Sequence, residues 1–132
     1  MTIFVDTSAM FSSLDADDAF HPQAFSTWES LVDDGRPLLS SNYVVLECTW
    51  LATRRLGIEA VRRFYGLVIP ALSIHWVDEE LHFLTTSLML ESPRKNISLV
   101  DYISFEIMRM RGITDVFTFD RHFKDQGFDV IP

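Results

Sequence analysis

The chain has 132 residues, of which 48% are hydrophobic and 23% are charged, so its length and composition fit one ordinary domain with one packed core over residues 1–132. The formal net charge of −8 argues against a non-specific nucleic-acid binder, because phosphate contacts need a surplus of lysine and arginine. The charge does not exclude a hydrolase whose carboxylates carry divalent cations, because a bound metal reverses the sign of the local field.

The first half of the chain predicts two strands, each followed by helices. Residues 2–5 form a short apolar run rich in β-formers, and Asp6-Thr7-Ser8 are good helix-capping residues before the helical pattern of residues 9–14. The elements that follow are a helix over residues 21–32, a short strand at residues 38–39, a helix over residues 42–56 that ends at Gly57, and a helix over residues 58–69 that ends before Pro70.

The second half repeats the alternation of strands and helices. Residues 73–77 are a third strand candidate, and Asp78 caps a helix that runs to about Leu90. After a loop over residues 91–96 come a long helix over residues 98–111, a strand at residues 116–118 and a closing strand at residues 128–131. Short strands alternating with helices of ten or more residues imply right-handed crossovers. The sequence therefore predicts a three-layer α/β/α fold with a central, mostly parallel sheet of about four to five short strands.

Four carboxylates fall where such a fold brings distant residues together. Asp6 and Asp120 follow predicted strands, whose carboxyl ends border the ligand crevice of an open parallel sheet. Asp101 lies in the first turn of its helix and Glu47 lies near the start of another, and both helix starts can face the same edge. Carboxylates so close would repel one another unless a cation compensates them, and hard oxygen ligands suit Mg²⁺ or Mn²⁺. This arrangement predicts a metal site equipped for phosphodiester hydrolysis by a metal-activated water.

Each of these acids also has a structural interpretation. Asp6 can cap the helix that begins at Thr7, Ser98 with Asp101 has the pattern of a capping box, and Asp120 can open a turn. Glu47 fits a solvated helix face. The spacing of the residues by itself leaves the metal-site and capping interpretations both open.

Three segments resemble the ordered motifs of the PIN-domain VapC toxins. They are Val5-Asp6-Thr7-Ser8-Ala9, residues 98–105 around Asp101, and residues 117–123 around Asp120. Leu46-Glu47 sits where that family has its glutamate, and residues 127–132 are similar to the way these chains end. The resemblance thus covers essentially the whole chain.

The resemblance implies an endoribonuclease that uses Mg²⁺ or Mn²⁺ and acts as the toxin of a toxin–antitoxin pair. Its catalytic and metal-binding residues would be Asp6, Glu47, Asp101 and Asp120. Supporting positions would be Thr7 and Ser8, which can form hydrogen bonds, and Ser98 and Thr118, which can orient the acids. It also implies a homodimer, an RNA substrate, and a VapB-type antitoxin whose C-terminal segment packs on the toxin and blocks its groove.

Arg54 and Arg55 add positive charge to the helix that carries Glu47, and a contact with the RNA backbone competes there with a simple solvated face. The four histidines show no metal-ligand spacing with one another, which argues against a zinc enzyme, and Cys48 is predicted to be a small buried residue. The aromatic residues have helical or strand spacing, which predicts core or dimer surface rather than base-stacking platforms.

No apolar run reaches the length of a membrane span or has the form of a signal peptide, so we expect a cytoplasmic protein without a membrane partner. Two other functions fit the same layout. One is a catalytically silent binding module that keeps the fold and its partner. The other is a phospho-receiver domain, which is disfavoured because Asp6 has no acidic neighbour and Lys95 and Lys124 are the only lysines.

Overall fold

Five short strands form one sheet in the computed structural model of the chain, which describes residues 1–132. The strands are β1 (Ile3–Val5), β2 (Leu38–Ser41), β3 (Ser73–His75), β4 (Asp115–Phe117) and β5 (Asp129–Ile131). Their order across the sheet is β3-β2-β1-β4-β5, and every neighbouring pair is parallel. The predicted α/β class is confirmed, and the sheet is parallel throughout rather than only mostly parallel.

Seven α-helices connect and cover the strands. They are α1 (Thr7–Leu14), α2 (His21–Asp33), α3 (Asn42–Arg55), α4 (Ile58–Arg63), α5 (Glu79–Glu91), α6 (Leu99–Arg111) and α7 (His122–Asp125). The short α7 is missing from the sequence-based prediction, which has only a turn after Asp120. None of the helices combines the length and the apolar character that a membrane crossing requires.

The single helix predicted over residues 58–69 is wrong in its second half. Only Ile58–Arg63 is α-helical, and the chain continues as a π-helical turn over Phe64–Val68 and a 3₁₀ turn over Ile69–Ala71. Pro70 accounts for the change, because proline has no N–H to donate and its ring clashes with the carbonyl four residues earlier in an α-helix. Within the π turn, the Ile69 N–H donates to the Phe64 carbonyl.

Several strand ends also differ from the prediction. β3 ends at His75, and the Val77 N–H donates to Asn42 Oδ1 at 2.7 Å instead of continuing the sheet. β4 begins one residue earlier than predicted and stops at Phe117, although the Thr118 N–H still donates to the Ile131 carbonyl of β5 at 3.1 Å. A hydrogen bond from outside the sheet therefore accounts for the early end of β3.

The core explains why β1 lies at the centre. Ile3, Phe4 and Val5 are all fully buried, and successive residues of a strand point to opposite faces, so both faces of the sheet are covered. Helix α6 buries Ile103, Phe105, Ile107 and Met108 in the same hydrophobic cluster. Burial on both faces is the arrangement that a parallel sheet requires.

The order of the strands places a crevice beside β1. The chain moves outward from β1 to β2 and β3, and it then returns to β4 on the other side of β1. Ligands of open parallel sheets bind at such a switch point, outside the carboxyl ends of the strands. Residues that directly follow β1 and β4 therefore line this crevice.

Candidate metal centre

Asp6 is the buried anchor of the crevice. It directly follows β1, caps α1, and is only 3% exposed. Its Oδ2 atom accepts hydrogen bonds from Ser8 Oγ at 2.8 Å and from Thr118 Oγ1 at 2.9 Å. Burial raises the pKa of Asp6 above its ordinary value, while these hydrogen bonds act in the opposite direction. The capping interpretation is therefore correct for Asp6, and it coexists with a place in the crevice.

Thr118 connects Asp6 to Asp120. Besides donating to Asp6, its Oγ1 accepts the Asp120 N–H at 2.9 Å and lies 3.0 Å from Ser8 Oγ. Ser8 Oγ in turn accepts the Phe119 N–H at 2.9 Å. Two hydroxyl groups thus join the chain after β1 to the chain after β4, which fixes the separation of the two acids.

Asp101 faces the same crevice from the start of α6. Its side chain accepts the Ser98 N–H at 3.2 Å, and Ser98 Oγ accepts the Asp101 N–H at 3.2 Å, which forms the predicted capping box. Burial, and next the charge of Asp6, raise the pKa of Asp101 from 3.8 to about 7. The charges of Asp120 and Glu47 act in the same direction. The other three predicted acids therefore lie within electrostatic reach of Asp101.

Glu47 lies on the second turn of α3 and is half-buried, so it is not on a fully solvated face. Burial, followed by the charges of Glu47 and Asp6, raises the pKa of the Cys48 thiol to about 12. Cys48 is fully buried, as predicted, and its environment shows that negative charge accumulates between α3 and β1.

His122 is a neighbour of the acids that the sequence reasoning did not identify. Ligand atoms of Asp101, Asp120 and His122 lie within 4.8 Å of one another. His122 Nδ1 lies 3.0 Å from Asp120 Oδ1, but the ring orientation gives no hydrogen bond, and this buried nitrogen has no other partner. The available signal was the spacing Asp120-Arg121-His122, which was interpreted only as a turn. That turn exists, since Asp120 Oδ1 accepts the His122 N–H at 2.9 Å.

The remaining predicted residues occupy different places. Ser8, Ser98 and Thr118 hydrogen-bond to acids, whereas the Thr7 hydroxyl is buried and has no hydrogen-bond partner. Arg54 and Arg55 are exposed, with the Arg54 guanidinium over the Trp50 ring at 4.8 Å and that of Arg55 over the Phe11 ring at 5.6 Å. Neither arginine pairs with an acid, so both guanidinium groups keep their charge available at the surface.

Two pockets lie beside the candidate metal centre. The first, which we call the aromatic cleft, has a volume of about 530 Å³ and includes Phe11, Phe20, Phe119 and Asp120 in its lining. The second, the apolar groove, has a volume of about 470 Å³ and includes Tyr43, Leu46, Glu47, Trp50 and Leu99. Asp120 lines the aromatic cleft and Glu47 lines the apolar groove, so each pocket contains one of the four acids.

The hydroxyl of Thr118 gives a test of this network. We expect Thr118→Val to lower the free energy of unfolding by about 1–3 kcal/mol, because Asp6 loses a donor and the Asp120 N–H loses its acceptor at nearly unchanged side-chain volume. Urea denaturation measures the change. Thr118→Ser keeps the hydroxyl and serves as the matched control. Equal stability of the valine and serine variants would show that the network does not stabilise the fold.

Comparison with known proteins gives consistent results at the level of sequence and structure. A family model described as the PIN domain matches residues 3–129. The 23S rRNA-specific endonuclease VapC20 from two strains of Mycobacterium tuberculosis is 30% identical over 129 residues, covering 96% of this chain and 95% of VapC20. The crystal structure of Mycobacterium tuberculosis VapC20, described as a sarcin-ricin loop cleaving toxin, matches with a TM-score of 0.83 and 30% identity over 96% of each chain.

Proposed function

The chain belongs to the PIN-domain family and is similar to its VapC toxins, and from this premise we propose that it is a Mg²⁺- or Mn²⁺-dependent endoribonuclease. The observation that carries the proposal is the convergence of Asp6, Glu47, Asp101 and Asp120 from four separate segments. Burial raises the pKa of Asp101 to about 7, and the charges of the other three acids act in the same direction. Packing carboxylates together is unfavourable without a cation. A divalent cation bound among the four carboxylates would relieve this repulsion.

The chemistry of the side chains fits a divalent cation. Asp101, Asp120 and Glu47 supply hard oxygen atoms, and His122 contributes a buried Nδ1 without a hydrogen-bond partner beside Asp120. We propose that the metal is held by Asp6, Glu47, Asp101 and Asp120, with His122 at its edge. When bound, the ion lowers the pKa of the attacking water and offsets the charge of the phosphate.

The protein's own residues orient and separate these groups. Ser8 and Thr118 hold the Asp6 carboxylate through two hydroxyl hydrogen bonds, and Ser98 holds Asp101 at the first turn of α6. The Thr118 hydroxyl also fixes the backbone at Asp120. Because these positions are set by hydrogen bonds made before substrate arrives, the acids need little rearrangement when RNA binds.

VapC20 offers a starting point for the substrate. It is a 23S rRNA-specific endonuclease with 30% identity to this chain, and we propose that this chain also acts on a loop of ribosomal RNA. Single-stranded loops present unstacked bases that proteins can read, whereas the deep major groove of an RNA helix excludes side chains.

We further propose that the protein is the toxin of a toxin–antitoxin pair and that a VapB-type antitoxin covers the apolar groove. The groove exposes Leu46 and Trp50, which are 69% and 55% exposed, and it includes Glu47. An apolar segment seated there buries these side chains and covers one of the four acids, which inhibits the enzyme. The homodimer remains a prediction from the resemblance to the family.

Cleavage of 23S rRNA by the purified, antitoxin-free protein tests the nuclease function. We expect discrete cuts with Mg²⁺ or Mn²⁺, and we expect them to disappear with EDTA and in Asp6→Asn, which removes the charge but keeps a hydrogen-bond acceptor for Ser8 and Thr118. Circular dichroism checks that the variant is folded. Absence of cuts in rRNA, tRNA and mRNA pools by folded wild-type protein would support the catalytically silent binding module instead.

A further inference from the structure

The aromatic cleft contains a stacked pair of phenylalanine rings beside the proposed metal centre. Phe20, at the start of α2, and Phe119, just after β4, have ring centroids 4.7 Å apart and planes inclined by only 14°. Phe20 is nevertheless 49% exposed. A large apolar ring held in place but left open to solvent is available to stack on a planar ligand.

Backbone hydrogen bonding fixes this pair in position. Asp18 Oδ1 accepts the Phe20 N–H at 2.8 Å, and Ser8 Oγ accepts the Phe119 N–H at 2.9 Å. The second contact belongs to the same hydroxyl network that holds Asp6. The stacking surface is thereby tied to the proposed metal centre through Ser8.

The lining of the cleft carries charges of both signs. Arg121 lines it beside the acids Asp18 and Asp120, and the Arg55 guanidinium lies over the ring of Phe11, another lining residue. Guanidinium groups donate to phosphate oxygens in a rigid fork, so these arginines suit the phosphate of a bound nucleotide. Asp120 belongs to both the cleft and the group of four acids, so a base in the cleft has its phosphate near the proposed metal centre.

We propose that the aromatic cleft binds one unpaired nucleotide of the RNA substrate, with its base stacked on Phe20. This inference rests on the proposed ribonuclease function and specifies it, because it requires the base next to the cleaved phosphate to be turned out of its helix. The volume of about 530 Å³ lies in the range of pockets that enclose small ligands, and a paired base does not expose the face that stacking needs. The proposal departs from the sequence-based expectation that no aromatic residue is a base-stacking platform, and the experiment below decides between the two.

The test combines variants of Phe20 with changes in the RNA. The probe is a fluorescent hairpin carrying the sarcin-ricin loop of 23S rRNA, together with a series in which each loop nucleotide in turn is abasic. Affinity is measured by anisotropy with Ca²⁺ in place of Mg²⁺, and a gel confirms that the RNA is intact. We expect Phe20→Ala to weaken binding about 10- to 100-fold, as loss of one stacked base does in proteins that bind single strands. Phe20→Trp keeps a stacking surface and should bind within about threefold of wild type.

One abasic position should reproduce the loss in the wild-type protein and add nothing in Phe20→Ala, because both changes remove the same contact. Phe83→Ala removes a phenylalanine on α5 that is 58% exposed and outside the cleft, and it should leave binding unchanged. Thermal unfolding verifies that Phe20→Ala remains folded. The proposal is overturned if Phe20→Ala binds the hairpin like wild type, or if no abasic position couples to Phe20. Loss of antitoxin binding alone in Phe20→Ala would assign the cleft to the protein partner and likewise overturn it.

Failure of the proposed ribonuclease function and failure of the proposed nucleotide site give different experimental results. Coupling between Phe20 and one base, without cleavage of any RNA in Mg²⁺ or Mn²⁺, would retain the cleft as a nucleotide site and reject the enzyme. Metal-dependent cleavage with unchanged kinetics in Phe20→Ala would retain the enzyme and reject the cleft.

Discussion

Replacing Asp101 with asparagine is expected to lower the kcat of RNA cleavage at least about 100-fold while the protein remains folded. Asparagine has nearly the same shape and can still accept the Ser98 N–H, which Asp101 accepts at 3.2 Å, so the capping box survives. The charge that helps to hold the cation is lost. Steady-state cleavage of the RNA identified with the wild-type protein measures the effect, and calorimetric titration with Mn²⁺ should show weaker binding.

Glu106→Gln is the matched control for this substitution. Glu106 lies on the same helix α6, where it pairs with Arg109 at 3.2 Å on the surface. Removing a charge from such an exposed pair changes stability by about 1 kcal/mol or less and should leave cleavage intact. Wild-type activity in Asp101→Asn would remove Asp101 from the proposed metal centre.

Asp101→Asn should also change the pH dependence of stability in the metal-free protein. With a pKa of about 7 in the folded protein and an ordinary value of 3.8, Asp101 keeps its proton between these pH values when folded and loses it when unfolded. The folded state binds more protons in this window, so the contribution of Asp101 to stability falls as pH rises from about 4 to about 7. In Asp101→Asn this decline should be reduced, as measured by urea denaturation at a series of pH values in EDTA. An identical pH profile in both proteins would contradict the raised pKa.

The largest expected loss of stability comes from Phe105→Ala. Phe105 is 1% exposed, and its ring lies 5.0 Å from that of Phe123 and 6.0 Å from that of Phe128. Truncation removes buried apolar surface and leaves a cavity, which costs about 3–5 kcal/mol. Urea denaturation at constant pH measures the loss. Because Phe105 lies one turn after Asp101 on α6, we also expect weaker metal binding by the folded fraction.

Phe83→Ala is the control for this prediction. Phe83 is 58% exposed, so the same change in side-chain volume should alter the free energy of unfolding by only about 0.5 kcal/mol. A cost below about 1 kcal/mol for Phe105→Ala would mean that the neighbouring rings move to fill the space, and that the core around α6 is more adaptable than close packing implies.

Local sequence signals predicted most of the elements. Asp6, Ser98 and Asp78 each cap a helix at the predicted position, because a capping side chain bonds to backbone only two or three residues away. The helix over residues 58–69 was predicted less well, since its apolar pattern is helical while Pro70 changes the hydrogen-bonding period. Strand ends were predicted only to within one or two residues. The remaining error arises because contacts such as that of Val77 with Asn42 come from distant segments.

The four acids were predicted from the sequence, from their positions after strands and at helix starts together with the resemblance to VapC toxins. That the other three acids lie close enough to raise the pKa of Asp101 follows only from the tertiary structure, because Asp6 and Asp101 are brought together by the return of the chain from β3 to β4 across β1. The same crossing places Asp120 and His122 beside Asp101. No local pattern carries that information.

The sequence by itself thus determined the types of side chain available for metal binding and the alternation of elements, since both depend on neighbours within a few positions. The tertiary structure alone decided which acid the Thr118 hydroxyl holds, and which aromatic rings meet. Thr118 is 112 positions from Asp6, and Phe20 stacks on Phe119 from the opposite end of the chain. Pairings over such distances depend on the packing of the whole sheet and its helices.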